Sequence, residues 1–275
     1  MNRLFIALSF ALLVACGNDK APAAPSSAAP SSTTTAVAVT VPNPVRMGQT
    51  AQATGTESLS DGQTRPIASG FLSDAPAVAT VTNAGLVTGI ANGRATIYVV
   101  TGGRQGQQVA RVVPDYHGRW SGGIRVTSCT QTDVFAAIDF CEDGLVGKTF
   151  KYALSLSQSG EQMTAIVDFG EPLVFPSIAA PIREDGASAF TPSKSVTDSG
   201  VTVSVDPTFN INSTHVGELT GTVNEVWRIP NVRGEARVVY DIVSTTRSAS
   251  APVSSMSDSS ARRLHLLRKL ALQKR

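Results

Sequence analysis

The sequence has few of the residues that most catalytic and metal sites require. It contains three histidines in 275 residues, and none lies in an H-x-x-x-H or H-E-x-x-H arrangement that could bind zinc. It has no G-x-S-x-G segment to present a nucleophilic serine, and its aspartates do not fall at the spacing of a calcium loop. The acidic pairs Glu142-Asp143 and Glu184-Asp185 each precede a glycine, which is typical of turns. We therefore expect no enzyme activity, no catalytic residue, no metal site and no cofactor.

Charged residues are also scarce, at 16% of the chain, whereas about a quarter is typical of globular proteins. The formal net charge of +2 hides an uneven distribution. Without Arg3 and the six basic residues of 261–275, 16 Lys and Arg remain against 21 Asp and Glu, which leaves −5 for the rest of the chain. The basic residues of that remainder are scattered, so we expect no nucleic-acid partner.

The chain begins with an apolar run, residues 4–14, that is too short for a bilayer-spanning helix of about 20 residues. It follows Arg3 and has the length of the apolar part of a secretory signal. The run ends in Leu13-Val14-Ala15-Cys16, which resembles the lipobox of bacterial lipoproteins: a leucine, a small or branched residue, a small residue and a cysteine. The resemblance implies that residues 1–16 are a lipoprotein signal peptide ending at lipidated Cys16.

A lipidated Cys16 makes the membrane the first expected partner. In lipoproteins the sulfur carries a diacylglyceryl group and the new N-terminus is usually acylated; each buried methylene contributes about 0.8 kcal/mol. Gly17 follows the cysteine, and because an aspartate there favours the inner membrane in enteric bacteria, the outer membrane is favoured over the inner. An ordinary signal peptide with an incidental cysteine, or a signal anchor, is the alternative interpretation.

Two segments have compositions that cannot form a core. Residues 17–36 contain no aromatic and no large aliphatic residue, so they cannot bury enough apolar surface to offset the entropy of ordering, and we predict a disordered tether. Residues 248–275 begin as a serine-rich linker and end in a basic tail. The tail fits either a weakly amphipathic helix on anionic lipid or a solvated segment.

Residues 37–113 alternate apolar and small or polar residues with glycine turns, as strands do. The motifs Ser73-Asp74-Ala75-Pro76-Ala77-Val78-Ala79-Thr80-Val81, Gly85-Leu86-Val87-Thr88-Gly89 and Gly93-Arg94-Ala95-Thr96-Ile97 resemble the bacterial immunoglobulin-like domain, group 2. Phe71 stands near the place where that family usually has a tryptophan. The resemblance implies a small β-sandwich.

Residues 115–247 form a second strand-rich region, with about eight strands and no convincing helix. We predict an all-β chain whose second domain is an antiparallel β-barrel or a second sandwich. Gly118-Arg119-Trp120 is similar to the opening of lipocalin-like and avidin-like barrels, in which the tryptophan plugs one end and an arginine of the last strand packs on it. Arg237 is the candidate partner; the alternative interpretation is a core tryptophan at a strand start.

The two remaining cysteines, Cys129 and Cys141, form an even pair in an exported chain, so we predict a disulfide. A metal site is the weaker alternative. The loop between them contains Phe135, Ile138 and Phe140, and we expect it to pack against the domain.

The predicted function is a membrane-anchored envelope lipoprotein that serves as a binding or adhesion module, with an envelope protein or glycan as partner. One alternative is a lipocalin-like carrier of a small apolar ligand, in a cavity lined by Trp120, Tyr152, Phe169 or Trp227. Another is a structural accessory of an envelope complex. An adhesion module predicts an exposed aromatic or apolar patch, whereas a carrier predicts an internal cavity.

Overall fold

The computed structural model describes residues 31–248. The predicted signal peptide with Cys16, most of the predicted tether and all but the first residue of the predicted tail lie outside this range. The described chain is nearly all β, which confirms the predicted fold class. It contains two separate clusters of buried apolar residues, one in each half.

The first domain is built from ten short strands around one core. They are β1 (Thr34–Thr40), β2 (Val45–Arg46), β3 (Thr50–Gln52), β4 (Thr54–Leu59), β5 (Thr64–Ile67), β6 (Phe71–Ser73), β7 (Ala79–Val81), β8 (Leu86–Gly89), β9 (Gly93–Thr101) and β10 (Arg104–Val113). One sheet has the order β2-β10-β9-β6, and two three-stranded sheets have the orders β1-β4-β5 and β3-β8-β7. The inward residues of all three sheets belong to one buried cluster, which contains Phe71 and Ile97.

The glycine turn before β8 illustrates how the sequence specifies this domain. Gly85 has a φ of +87°, and a Cβ there would lie 2.8 Å from the carbonyl oxygen of Ala53. Only glycine fits both the left-handed backbone and this close approach. Gly85 therefore specifies the turn at residues 83–85, and the Ala53 amide donates to the Gly85 carbonyl at 2.8 Å.

The predicted tether extends too far at its end. The prediction includes residues 34–36, but Thr34 already lies in β1 and pairs with Leu59 of β4. Small polar residues give no alternating pattern, yet threonine is β-branched and fits a strand whose partner supplies the hydrogen bonds. The backbone of Thr33 also accepts a hydrogen bond from the Ser60 amide.

The second domain contains nine strands and one helical turn. They are β11 (Gly118–Gln131), α1 (Val134–Ala137), β12 (Thr149–Ser159), β13 (Gln162–Asp168), β14 (Ile178–Pro181), β15 (Ser188–Phe190), β16 (Lys194–Asp198), β17 (Val201–Asn212), β18 (Thr220–Arg228) and β19 (Glu235–Ser248). The domain thus reaches one residue beyond the predicted boundary at 247.

These strands form a curled antiparallel sheet in the order β14-β13-β12-β11-β19-β18-β17-β15, with β16 added beside β17. The two outer strands of this order, β14 and β15, are consecutive in the chain and are joined by a bridge between Ile182 and Ser188. The sheet therefore closes on itself as an up-and-down barrel, which decides between the two predicted architectures. Its interior is filled by the alternating inward residues of each strand.

Register defines the two ends of the barrel. Trp120 at the start of β11 pairs with Arg247 at the end of β19, and Gln131 at the end of β11 pairs with Ala236. The first domain joins at the Trp120 end through residues 114–117. The loop after β11 lies at the opposite end.

Candidate functional site

The four residues predicted to line a cavity are all buried in the barrel: Trp120 at 0%, Tyr152 at 0%, Phe169 at 1% and Trp227 at 1% exposure. Two of them share one aromatic neighbour. Tyr152 and Phe169 both contact Phe209, with ring centroids 6.5 and 6.0 Å away. Phe209 also stacks on Phe190 at 5.1 Å. Rings thus occupy this part of the interior, and a ligand cavity there stays a prediction.

Trp120 closes the barrel end that faces the first domain. Its indole Nε1 donates to the carbonyl of Tyr116 at 2.8 Å. The guanidinium of Arg247 lies 4.8 Å from the ring centroid, a cation–π arrangement. An arginine of the last strand therefore does pack on this tryptophan.

The predicted partner, Arg237, is wrong. It pairs with Thr130 near the other end of β11, and its guanidinium contacts Glu235. In a closed antiparallel barrel the start of the first strand meets the end of the last strand. β19 is fourteen residues long and ends at Ser248, so the residue that reaches Trp120 is Arg247, ten positions beyond Arg237.

Trp227 lies at the opposite end, beneath the loop that the disulfide closes. Cys129 and Cys141 are bonded, which confirms the predicted pair. Phe135 and Phe140 of this loop are buried, and the Phe140 ring lies 5.5 Å from Trp227. The loop therefore packs down on the barrel as a cap.

One buried carboxylate in the barrel, that of Glu225, was not predicted from the sequence. Glu225 is 0% exposed, and its Oε2 accepts a hydrogen bond from the hydroxyl of Tyr240 at 2.7 Å. The signal was present in the sequence, because Val223, Glu225 and Trp227 alternate in phase along β18 and so share the inward face.

Two buried tyrosines are held in the neutral form. Burial raises the pKa of Tyr152 to about 12, although a hydrogen bond with Thr245 lowers it in part. Burial also raises the pKa of Tyr116, whose hydroxyl donates to the Gly186 carbonyl at 2.8 Å. Both groups therefore act as hydrogen-bond donors or acceptors and not as bases near neutral pH.

The junction between the domains centres on Arg111, a β10 residue that is 3% exposed. Within the first domain its guanidinium donates to the side chain of Asn92 and to the carbonyls of Gly93 and Val112. Towards the second domain it donates to the carbonyls of Arg183 and Glu184 at 3.0 and 3.1 Å, and to the Glu161 carboxylate at 3.2 Å. One side chain thus binds both domains.

Asp115 organises a second junction cluster beside the linker. It is 6% exposed and pairs with Arg247 at 2.9 Å and with Arg46 at 3.7 Å. Arg46 also donates to the Gln158 carbonyl at 2.6 Å. Because Arg247 covers Trp120, this cluster connects the first domain to the barrel end.

The outer surface of the first domain carries what we call the apolar face. Its members are Leu72 (53% exposed), Val100 (56%) and Val109 (42%), with the partly buried Tyr98. Leu72 and Gln107 both pair with Tyr98, and Gln105 pairs with Val100. Directly opposite residues of antiparallel strands point to the same side. The face is therefore contiguous, and the polar residues paired within it, Gln105 and Gln107, are uncharged.

Among residues 31–248, no helix is long and apolar enough to cross a membrane. Within the same residues, no group of three or more His, Cys, Asp or Glu is placed to hold a metal ion.

Comparison with known families matches residues 31–113 to the bacterial Ig-like domain (group 2). The match ends where β10 ends, at Val113. A domain of this kind fits a surface or adhesion β-domain module, and it suggests an extracellular or surface-associated protein. No curated protein matches the chain.

Among solved structures, domains 5–6 of the S-layer protein SbsC are 15% identical, with a TM-score of 0.28 over 78% of this chain and 99% of that chain. Domains 4–9 of the surface layer protein SbsC are also 15% identical, with a TM-score of 0.27 over 76% of this chain and 31% of that chain. At these TM-scores the likeness supports no conclusion about this chain.

Proposed function

We propose that the chain is a membrane-anchored lipoprotein of the cell envelope, in the outer membrane rather than the inner, and that it acts as a binding or adhesion module through its β domains. The observation that carries this proposal is the apolar face on the Ig-like domain. Exposed apolar residues that cluster on one sheet face are typical of interaction sites, whereas scattered ones are ordinary. The partner is an envelope protein or glycan.

The composition of the apolar face supports a binding role. Charged residues are depleted and aromatic residues enriched at the centres of protein interfaces. On the apolar face, Tyr98 has Leu72 on one side and Gln107 on the other, and none of the three is charged. The amides of Gln105 and Gln107 also bond each other at 2.9 Å, which orders the polar edge of the face.

The barrel interior gives less support to a carrier of a small apolar ligand. Such a site usually needs a volume of about 300 Å³ or more. Phe190 and Phe209 stack with their planes only 6° apart, and Phe169 lies against the same ring at 6.0 Å. The disulfide loop covers one end and Trp120 closes the other.

The anchor is tested by Cys16→Ser. We expect the parent chain to partition into detergent and to carry acyl mass, and the variant to remain in the aqueous phase without that mass, because the sulfur is the acceptor of the lipid. Equal partitioning of the two chains, with no acyl mass lost, would remove the anchoring part of the proposal.

The apolar face is tested in a Cys16→Ser background, so that lipid cannot hold the chain on membranes. Val100→Lys with Leu72→Lys places two charges on the face, and Val146→Lys is the control because Val146 is 57% exposed and outside it. We expect binding to envelope fragments of the source cells to fall about tenfold or more for the double variant and to stay unchanged for the control. Equal binding of all three chains would contradict a role of this face.

A further inference from the structure

A depression of about 310 Å³ lies on the outside of the barrel, on the first three strands. Its lining includes His117, Arg119, Ser155, Ser157, Thr164 and Ile166. It is separate from the apolar face, which belongs to the first domain, and from the barrel interior. The volume is at the small end of ligand sites, which are usually about 300–1,000 Å³.

Strand register explains why a depression forms here. Arg119 pairs with Ser155, which pairs in turn with Ile166 on β13, and Ser157 pairs with Thr164. Since Trp120, Leu156 and Ala165 are buried in the barrel, the alternating neighbours point outward. Three small hydroxyl side chains therefore form the floor, and longer side chains stand at its rim.

The rim carries the positive charge of Arg119. Arg119 and His117 are exposed, and within residues 31–248 neither side chain has an ion pair or a hydrogen bond. The neighbouring arginines differ, since Arg247 is held by Asp115 and Arg125 faces Asp241. No acidic residue is among those that line the depression. An anionic group is thus the electrostatic complement of this site.

The floor suits an anion that also bears hydroxyl groups. A hydroxyl group both donates and accepts hydrogen bonds, as sugar hydroxyls do, whereas a phosphate at neutral pH mainly accepts. Ser155, Ser157 and Thr164 supply three such groups side by side, and Ile166, at 40% exposure, offers an apolar wall for the C–H face of a ring. This combination suits a ring that bears both hydroxyls and a carboxylate.

We infer that this depression binds an acidic sugar, free or within a glycan. The guanidinium of Arg119, with His117 beside it, receives the carboxylate, the hydroxyls of Ser155, Ser157 and Thr164 bind the ring hydroxyls, and Ile166 packs against the ring. Arg–carboxylate contacts are charge-assisted and can be bidentate, which makes Arg119 the residue on which selectivity depends.

The test uses the purified full chain in neutral detergent, with saturation-transfer NMR and calorimetric titration. The probes are glucuronate, glucose and inorganic phosphate. We expect weak binding of glucuronate, weaker binding of the other two, and a loss of about tenfold or more for Arg119→Gln, because a charged hydrogen bond is removed. Arg125→Gln, an exposed arginine on the same strand, is the matched control and should bind as the parent chain does.

Thr164→Val provides a second arm, because it removes a hydroxyl and leaves the charge in place. We expect it to weaken glucuronate binding more than phosphate binding, and unchanged thermal unfolding verifies the fold of each variant. Glucose or phosphate binding as tightly as glucuronate, or unchanged binding in Arg119→Gln, would overturn the inference. The Leu72 and Val100 variants leave this depression intact. A failure of the sugar-binding inference can therefore be distinguished from a failure of the proposed binding role of the apolar face.

Discussion

At the scale of single residues, Arg111 shows how a surface position becomes a buried one. It lies opposite Arg94 on the outward side of the β10–β9 pair, where alternation places solvent-facing residues. Arg94 is exposed and pairs with Glu184, but Arg111 is covered because residues 183–184 of the second domain lie over it. Arginine suits this position, since its planar group offers five donors in a fixed arrangement.

We predict that Arg111→Ala lowers the free energy of unfolding by about 3 kcal/mol, because buried carbonyl groups lose charged donors. Arg111→Lys should recover only part of this, since an ammonium cannot reach acceptors on both domains at once. Urea unfolding measures both values. Arg104→Ala on the same strand, an exposed residue, should change the value by less than about 0.5 kcal/mol. An Arg111→Ala variant as stable as that control would refute this role.

At the scale of elements, the sequence indicates which segments with clear alternation form strands. It does not indicate which strands pair when they lie far apart in the chain. The segments of β12 and β13 alternate clearly in the sequence on either side of Ser159-Gly160, and the hairpin turns there. Between residues 172 and 199 the pattern was weak, and the structure has three strands of only three to five residues. Short strands provide too few alternating positions for a sequence pattern.

Long-range contacts were the main limit of sequence analysis. The disulfide could be predicted from an even cysteine pair, since exported compartments permit only a few fates for such thiols. The arginine over Trp120 depended on the length and register of β19, which includes two irregularities opposite β11. The junction at Arg111 and the depression at Arg119 depend on residues far apart in sequence, so no local pattern indicates them.

The cap element yields a second prediction, for Cys129→Ala with Cys141→Ala. The bridged residues are twelve positions apart, and a cross-link over a loop of this size contributes about 3 kcal/mol, mainly by restricting the unfolded chain. We expect a loss of that order in urea unfolding, and the reduced parent chain should match the double variant. A loss below about 0.5 kcal/mol would show that burial of Phe135 and Phe140 alone holds the cap.

At the scale of the whole molecule, paired carboxylates are spread over both domains. The pKa of Glu57 is lowered by hydrogen bonds from Arg65 and Thr34, and that of Asp74 by bonds from Thr96. In the second domain, the pKa of Glu235 is lowered by Arg237 and Arg228. The pKa of Glu184 is lowered by Arg94, which belongs to the other domain.

A carboxylate with a lowered pKa in the folded chain binds its proton more readily when the chain unfolds. Its stabilisation is therefore complete above the unfolded pKa, about 4.3 for glutamate, and is lost as the pH falls through the folded value. We expect the urea midpoint to decline from about pH 4.5 downward, and to decline less in Glu57→Gln, which has no carboxylate to protonate. The difference in urea midpoint between the parent chain and Glu57→Gln should thus narrow from pH 7 to pH 3.

The control is Glu171→Gln, in an exposed loop. Its urea midpoint should change with pH in the same way as that of the parent chain. A gap for Glu57→Gln that is constant with pH would mean that the Arg65 pair does not contribute through the charge of Glu57.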